Sequence, residues 1–500
     1  MNWLFEFFNI LTGLGWMVVT PVFVALWGKA VGMRLGTALR CGVRISAALI
    51  GLTLIINRLG SSLTSVVADI ASHHQLAGEV ADAGWNASVA IASASRISLW
   101  IFPVYLVINW LMLLLRATRT LNLDLWNFWQ VAFMGALVQN LTGSFASGMV
   151  AAGVLTVVLL VLADQAAPAL AKYCQAPGVS VAHGFAASGV PFALLAKKLL
   201  DLVPGKPRLV LERSTRPRTA LGSPAVWCGV LGAVMGFLAG WNIYSILQVA
   251  VTFAALAFLA PYMGQVLTDS VTPVAEAVSG FCQHKLKIKG NLYLGLSPAA
   301  ALGNGTAVVV TLMLAIIMTF LAGVLPGNRF LVQGDIVMLP YLVGVIVAVC
   351  HGDLLRSLLA GAASSVTMLW CASSLAELFT LSAAAANPEV YGEAGTIANL
   401  SNGANLLAWL TVQAGSYGVA GMALLVVVGV ALAVWNRNRI TGTPQPFARK
   451  KGKHIGHEHP AHEHAAHGEG GTSAKAAERP ARDAGRTPHG EEAGEGRTKE

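Results

Sequence analysis

A run rich in polar and aromatic side chains, TRTLNLDLWNFWQ at residues 118–130, separates two strongly apolar segments. Trp126, Asn127 and Gln130 fall within little more than one helical turn of each other. Amides both donate and accept hydrogen bonds, and an indole ring can cover the apolar face of a sugar, so the combination suits a polyol or sugar. We predict that these three residues contact a substrate, and we add Gln139 from the following turns.

Two further segments, DAGWNASVAIASAS at 82–95 and GLSPAAALGNGT at 295–306, carry glycine, proline and small residues between apolar runs. Irregular backbone at membrane depth is tolerated only where it lines a cavity enclosed by protein. A half-helix that begins after Pro298 would direct its free N–H groups at a ligand. The substrate-binding candidates from these segments are Trp85, Asn86, Ser297, Pro298 and Asn304.

Three polar positions have a structural interpretation beside the functional one. His183, in SVAHGFAASG, is either a hydrogen-bonded structural residue or a ligand, and we keep it as a candidate. Asp124 and Asp335 each precede an apolar segment, where a helix cap is the stronger interpretation. Asp335 stays on the candidate list. The stretch VCHGDLLRSL, residues 349–358, is interpreted as a turn at the membrane surface.

The elements that position these residues are predicted to be membrane helices. The sequence is 55% hydrophobic and only 11% charged, which is typical of a polytopic membrane protein. A span needs roughly 20 apolar residues, and we predict about eleven spans together with re-entrant broken helices in an all-α fold. The predicted spans are 8–28, 40–59, 97–115, 125–145, 147–166, 222–240, 245–263, 306–325, 336–351, 357–385 and 412–435.

The distribution of Lys and Arg predicts the orientation in the membrane. These residues gather at 29–44, 116–119, 197–218 and 437–453. Short loops rich in Lys and Arg face the cytoplasm, so we expect a cytoplasmic C-terminus. The formal charge of +9 is accounted for by these loops, and it indicates contact with anionic lipid rather than nucleic acid.

No cofactor or metal site is assigned. The six cysteines are scattered without a C-x-x-C pair, which favours isolated thiols in apolar surroundings. Residues 441–500 have the composition of a disordered tail. Six histidines in that tail predict only weak, adventitious binding of zinc or nickel: His454, His457, His459, His462, His464 and His467.

The sequence also suggests an internal repeat. Gly84 and Gly295, and likewise Asp124 and Asp335, are separated by the same offset of 211 residues, and the order of elements around them agrees. With an odd number of spans in each copy, the two copies would be inverted in the membrane, as in many transporters. The predicted divisions are a first membrane repeat at 1–195, a basic cytoplasmic linker with an amphipathic helix at 196–224, a second repeat at 225–440 and the tail at 441–500.

Several longer segments carry a resemblance to a known family. TRTLNLDLWNFWQVAFMGALVQNLTGS, GLSPAAALGNGTAVVV, LPGNRFLVQGDIV and VCHGDLLRSLLAG occur in that order in a stretch from about residue 8 to residue 436. The sequence resembles the galactitol-type membrane component, IIC, of the bacterial phosphoenolpyruvate-dependent sugar phosphotransferase system.

The resemblance implies a homodimeric translocator in the bacterial inner membrane that binds a galactitol-like polyol or sugar. It would present this substrate to a phosphorylated IIB subunit, which is fed by a IIA subunit. The phosphoryl-carrying cysteine is then expected on IIB, with no phosphorylated residue on this chain. Whether the chain is itself counted as an enzyme stays open, since its part in phosphoryl transfer would be binding and orientation.

The sequence departs from the family pattern at three candidate positions. Ser297 stands where members often have Asp, and Asn304 and Gln130 stand where they often have His. Each change removes a charged or titratable group. The ascorbate-type relatives have a glutamine that resembles Gln130 and a histidine that resembles His183, which favours both as ligands.

Two other functions were weighed. An ion-coupled transporter of a small polar solute would need an acidic residue within a span, and only Asp164 and Glu377 are suitable. A metal exporter would need His, Cys or Asp ligands at helical spacing inside the bundle, and the sequence offers no such group.

Overall fold

The computed structural model describes residues 16–122, 125–174, 177–205, 208–211, 219–286, 288 and 292–442. Asp124 and the histidines of the tail lie outside the described residues. Within them the chain is mostly helical. The helices are α1 (Trp16–Ala30), α2 (Leu35–His73), α3 (Trp85–Ala94), α4 (Ile97–Leu114), α5 (Leu125–Thr142), α6 (Phe145–Tyr173), α7 (Gly184–Ser188), α8 (Val190–Asp201), α9 (Pro224–Leu238), α10 (Ile243–His284), α11 (Gly305–Val324), α12 (Leu339–Val349), α13 (Leu354–Ala386), α14 (Pro388–Tyr391), α15 (Leu406–Ser416) and α16 (Gly418–Gly442).

Seven of the described helices are long and apolar enough to cross a membrane, which confirms a multi-pass membrane protein. They are Leu35–His73, Ile97–Leu114, Phe145–Tyr173, Ile243–His284, Gly305–Val324, Leu354–Ala386 and Gly418–Thr441. Three shorter apolar helices, Val19–Ala30, Pro224–Leu238 and Ile336–Val349, coincide with three further predicted spans. The exact number of eleven spans stays a prediction.

Burial differs between these helices because they have different surroundings. The most apolar window of α11 is 61% buried inside the protein, whereas that of α16 is only 17% buried. Val419 and Leu424 of α16 are strongly exposed. An apolar helix with so much exposed surface is stable only against lipid or another apolar surface, whereas α11 belongs to the protein interior.

Two short parallel sheets connect the first part of the chain with the second. One has the strand order β2 (Thr120–Asn122), β4 (Tyr293–Gly295), β3 (Val179–Ser180). The other pairs β1 (Ala81–Asp82) with β5 (Ile397–Ala398), and Val80 forms a parallel bridge with Phe330. These pairings satisfy backbone groups of non-helical segments that would otherwise be unpaired in the interior.

The broken segment after β4 presses closely on helix α10. Pro298–Leu302 forms a single 3-10 turn, and it is followed by Gly303. A Cβ atom added to Gly264 of α10 would lie 2.2 Å from the Cα atom of Gly303. Only hydrogen fits between these two backbones, so the contact requires glycine at position 264.

We therefore predict that Gly264→Ala destabilises the protein, because the added methyl group forces the 298–303 segment away from α10. Overpacking of this kind costs about 1–3 kcal/mol. The measurement is the melting temperature of the purified protein in detergent. Gly280→Ala, in the same helix, is the matched control, because its added Cβ would meet nothing within 4 Å. An equal melting temperature for both variants would contradict the prediction.

Candidate substrate cavity

The three strands of the larger sheet end side by side, and each leads into a helical segment. Asn122 is in register with Gly295, and Gly295 with Ser180. The chain then enters α5, the 3-10 turn at Pro298–Leu302, and α7, respectively. The carboxyl ends of parallel strands are a common place for ligand sites, because the following loops and helix starts converge there.

Asn122 holds the first of these strand ends in place. Its backbone N–H donates to Asn109 Oδ1 at 2.9 Å, and its side chain Nδ2 donates to Tyr105 Oη at 2.8 Å. Its Oδ1 accepts from Asn127 Nδ2 at 2.9 Å. A Cβ atom on Gly295 would lie 2.6 Å from Asn122 Oδ1, so glycine is needed for β4 to approach. Asn122 and Asn127 are fully buried.

His183 and Gln130 form the second polar connection. The Gln130 Nε2 and His183 Nε2 atoms are 2.9 Å apart, and Phe185 N–H donates to Gln130 Oε1 at 3.0 Å. Ala186 N–H donates to His183 Nδ1 at 3.3 Å. A protonated imidazole would carry hydrogen on both ring nitrogens, whereas a neutral ring with its hydrogen on Nε2 can accept from Ala186 at Nδ1, so this contact favours a neutral ring.

A cavity of about 520 Å³ lies beside these strand ends. Most of its wall is apolar, from helices α1, α2 and α10 and from the 294–299 segment. The polar and aromatic residues that line it are Thr20, Phe23, Trp27, Thr53, Asn57, Trp85, Trp129, His183, Ser297 and Tyr341. None of the described lining residues is Asp, Glu, Lys or Arg, so the cavity suits an uncharged solute.

The structure brings four of the predicted site residues to the cavity wall, and these are Trp85, His183, Ser297 and Pro298. Gln130 lies directly behind His183 and fixes its ring. Asn127 supports the wall through Asn122, which contacts Gly295. These residues come from separate parts of the sequence, and the two sheets bring them together.

The remaining predicted residues lie elsewhere. Asn304 caps α11, since its Oδ1 accepts from Thr306 N–H at 2.9 Å. Asn86 is exposed and Gln139 is half-buried, and neither is among the lining residues. Trp126 belongs to α5, but its side chain is outside the described part of the structure. Ligand contact by any of the candidates stays a prediction.

Sequence reasoning missed several lining residues, among them Trp129, Thr53, Asn57 and Tyr341. Trp129 lies in the same run of residues as the candidates Trp126, Asn127 and Gln130. Asn57 had a usable signal, because an amide within a long apolar helix usually faces the interior. Tyr341 had none in the sequence. Its ring lies 6.3 Å from that of His183, a proximity created by the packing of α12.

Asp335 belongs to a separate buried network at the smaller sheet. Its Oδ2 accepts from the backbone N–H and the hydroxyl of Ser401, at 2.7 and 2.5 Å. Its own N–H donates to Asp82 Oδ2 at 2.8 Å, and Asp82 Oδ1 accepts from Gly84 N–H at 3.1 Å. The network therefore holds the backbone just before Trp85, which lines the cavity.

Burial sets the protonation of this carboxylate pair. Desolvation raises the pKa of Asp82 to about 6, although several backbone N–H groups oppose the shift. Desolvation and then the charge of Asp82 raise the pKa of Asp335 well above its ordinary range. At neutral pH the arrangement therefore favours a neutral Asp335 beside an ionised Asp82.

Asp164, one of the two carboxylates considered for ion coupling, is fully engaged in structural contacts. It accepts from Arg119 N–H at 3.1 Å, from Thr120 Oγ1 at 2.8 Å and from Asn436 Nδ2 at 2.7 Å. These bonds tie α6 to β2 and to α16. Asp164 does not line the cavity. It therefore connects helices rather than facing a solute.

The fold and the cavity together define a class of protein: a multi-pass membrane protein with a largely apolar cavity that has no Asp, Glu, Lys or Arg among its described lining residues. Comparison with known proteins identifies the family. The chain matches the PTS system sugar-specific permease component family, EIIC-GAT, over residues 9–404. It belongs to this family, as its resemblance to galactitol-type IIC components predicted.

Individual relatives agree with the assignment. The chain is 31% identical over 412 residues to the "PTS system galactitol-specific EIIC component" of Escherichia coli (strain K12), a match that covers 82% of this chain and 90% of the relative. It is 29% identical over 434 residues to a "Putative permease IIC component" of the same strain, covering 86% of this chain and 99% of that protein.

We predict that Asp335→Asn leaves thermal stability nearly unchanged, because an amide replaces a neutral acid and can still accept from Ser401. Asp335→Ala removes that acceptor and leaves two buried donors unpaired, at a cost of about 1–3 kcal/mol each. Melting temperatures of both variants in detergent test this. If Asp335→Asn were as destabilising as Asp335→Ala, the carboxyl group would have to be ionised in the folded protein.

Proposed function

We propose that the 520 Å³ cavity binds galactitol or a closely related hexitol. The observation that carries this proposal is a wall that combines indole rings with neutral hydrogen-bonding groups and, among the described lining residues, has no charge. The rings of Trp85 and Trp129 can cover the C–H faces of a polyol. The Ser297 hydroxyl can donate to and accept from its hydroxyl groups, while His183 lines the cavity with its ring nitrogens engaged by Gln130 and Ala186.

In the proposed reaction the chain carries no phosphoryl group itself and needs no cofactor. A phosphorylated IIB subunit, supplied by IIA, transfers its phosphoryl group to the substrate, and this chain binds the polyol, orients one hydroxyl and keeps competing water away. The phosphorylated product is a dianion. Since no Lys or Arg occurs among the described lining residues, the cavity binds the product less well than the neutral substrate, which favours release.

The proposed architecture is two inverted repeats, with divisions at 1–195, 196–224, 225–440 and 441–500. The order of elements supports it: a short and a long helix, a strand, a broken segment and a span occur at 16–114 and again at 224–324. Pairing also supports it, because β1 pairs with β5 and Val80 with Phe330 of the second part, whereas β4 pairs with β2 and β3 of the first. Inverted repeats commonly place the substrate at their interface.

The proposed setting is the bacterial inner membrane, with about eleven spans and a cytoplasmic C-terminus. The basic segments 197–218 and 437–453 support this orientation. The family resemblance supports a homodimer.

The proposal is tested by uptake of radiolabelled galactitol and other hexitols into membrane vesicles that contain the chain. Phosphoenolpyruvate and the IIA and IIB subunits are supplied or withheld. We expect phosphorylated hexitol only when the complete relay is present. Accumulation of unmodified hexitol on a proton or sodium gradient alone would contradict group translocation and favour an ion-coupled porter.

We predict that Gly184→Ala weakens galactitol binding. A Cβ atom at this position would lie 2.6 Å from Gln130 Oε1 and would displace the amide that contacts His183 and Phe185. Loss of these contacts should lower the affinity about tenfold. Equilibrium binding of radiolabelled galactitol to the purified protein measures the effect. Gly153→Ala is the control, since its added Cβ would make only an ordinary contact of 3.4 Å with Ile108. Equal galactitol affinities in the two variants would show that Gln130 does not contribute to galactitol binding.

A further inference from the structure

Four basic side chains from four separate elements converge near the end of α12, one of the helices that border the cavity. Lys172 is in the last turn of α6, Lys197 is in α8, Arg208 is in the linker and His351 is in the turn between α12 and α13. The Lys197 Nζ and His351 Nε2 atoms are 3.0 Å apart. We call these four residues the cationic cluster.

The charges of the cationic cluster act on its histidine. Desolvation lowers the pKa of His351, and the charges of Lys197, Lys172 and Arg208 lower it further, so the ring is neutral at pH 7 and accepts from Lys197. No carboxylate among the described residues lies within salt-bridge distance of the three permanent cations. Among the described residues, the cluster therefore carries a net positive charge.

The turn that carries His351 is held firmly by its surroundings. His351 has a φ of 56°, a conformation that non-glycine residues seldom adopt and that needs support from neighbours. Asp353 caps α13 by accepting from Leu355 N–H at 3.1 Å. Leu354 N–H donates to Leu209 O at 2.7 Å, which fixes the linker next to Arg208.

A buried ion pair completes this support. Arg356 donates to Asp353 within the same turn and to Asp201 Oδ1 at the end of α8, at 2.8 Å. Both carboxylates near the turn are thereby engaged by Arg356, and this triad carries a net charge of −1 beside the +3 of Lys172, Lys197 and Arg208. The arrangement gives a preformed basic surface rather than a set of freely moving lysines.

The cationic cluster is directly connected to the cavity through α12. Tyr341, near the start of α12, lines the cavity, and His351 follows ten residues later, just after the helix ends. At 1.5 Å per residue, the two positions are separated by about 15 Å along the helix axis. His183 likewise precedes α7 and α8, the latter of which carries Lys197.

We propose that the cationic cluster is the surface that receives the phosphate group of the phosphorylated IIB subunit. This inference rests on the proposed function and adds the place on the chain where the phosphoryl donor docks. A phosphate is a compact dianion with several acceptor oxygens, which matches Lys197, Arg208 and Lys172 around one fixed turn. Docking here would bring the donor to the end of the helix whose other end borders the substrate.

The test compares Lys197→Gln with Lys198→Gln in the full chain, reconstituted in vesicles. Lys198 is the matched control, because it is the adjacent exposed lysine on α8 and its loss changes the net charge equally. The probe is a purified galactitol-system IIB subunit, phosphorylated by phosphoenolpyruvate through IIA. The KM for phosphorylated IIB and the equilibrium affinity for galactitol are measured separately.

We expect Lys197→Gln to raise the KM for phosphorylated IIB about three- to tenfold, with galactitol affinity unchanged, and Lys198→Gln to change neither by more than about twofold. Inorganic phosphate should compete with phosphorylated IIB more weakly in Lys197→Gln than in the parent protein.

Equal KM values in the two variants would overturn the docking surface. A difference in KM between the variants that appears only in vesicles rich in anionic lipid, and disappears in phosphatidylcholine vesicles, would assign the cluster to lipid headgroups. That result would also overturn the docking surface. Absence of galactitol binding in the parent chain would instead contradict the proposed function.

Discussion

Backbone polar groups cannot be left unpaired inside a membrane protein, and the architecture of this chain depends on how its broken helices meet that requirement. The segments before α3 and after β4 are not helical, so their N–H and C=O groups need partners from elsewhere. Two short parallel sheets supply those partners. Each sheet uses strands from both parts of the chain, so neither part can complete the cavity wall without the other.

The buried carboxylates do not line the cavity and are compensated by hydrogen bonds within the protein. Asp164 links α6, β2 and α16, whereas Asp82 and Asp335 hold the strand end before Trp85. Buried carboxylates are costly without hydrogen-bond donors, and each of these accepts from backbone N–H or from side chain donors. The cavity is left with neutral groups, which suits a neutral polyol and disfavours its phosphorylated form. One cluster of basic residues lies instead near the ends of α8 and α12.

Much of the site could be predicted from local patterns. Trp85, Ser297 and Pro298 were found because small residues and glycines at membrane depth indicate broken helices, and His183 was found because it lies in such a segment. Asn304 follows the same pattern but serves as a helix cap. Local composition locates a broken segment well. It does not tell which side chain in that segment faces the ligand, because this depends on the backbone path.

The sequence by itself determined the membrane class, the approximate positions of the spans and the family, because apolar length, lysine and arginine distribution and extended motifs are properties of contiguous residues. Only the tertiary structure decided that Gln130 fixes His183, that Tyr341 and Asn57 join the wall, and that Asp82 pairs with Asp335. These relations join residues up to about 250 positions apart. They arise because strands of the first part of the chain pair with strands of the second, and because helices pack closely at glycines. No local sequence pattern encodes either feature.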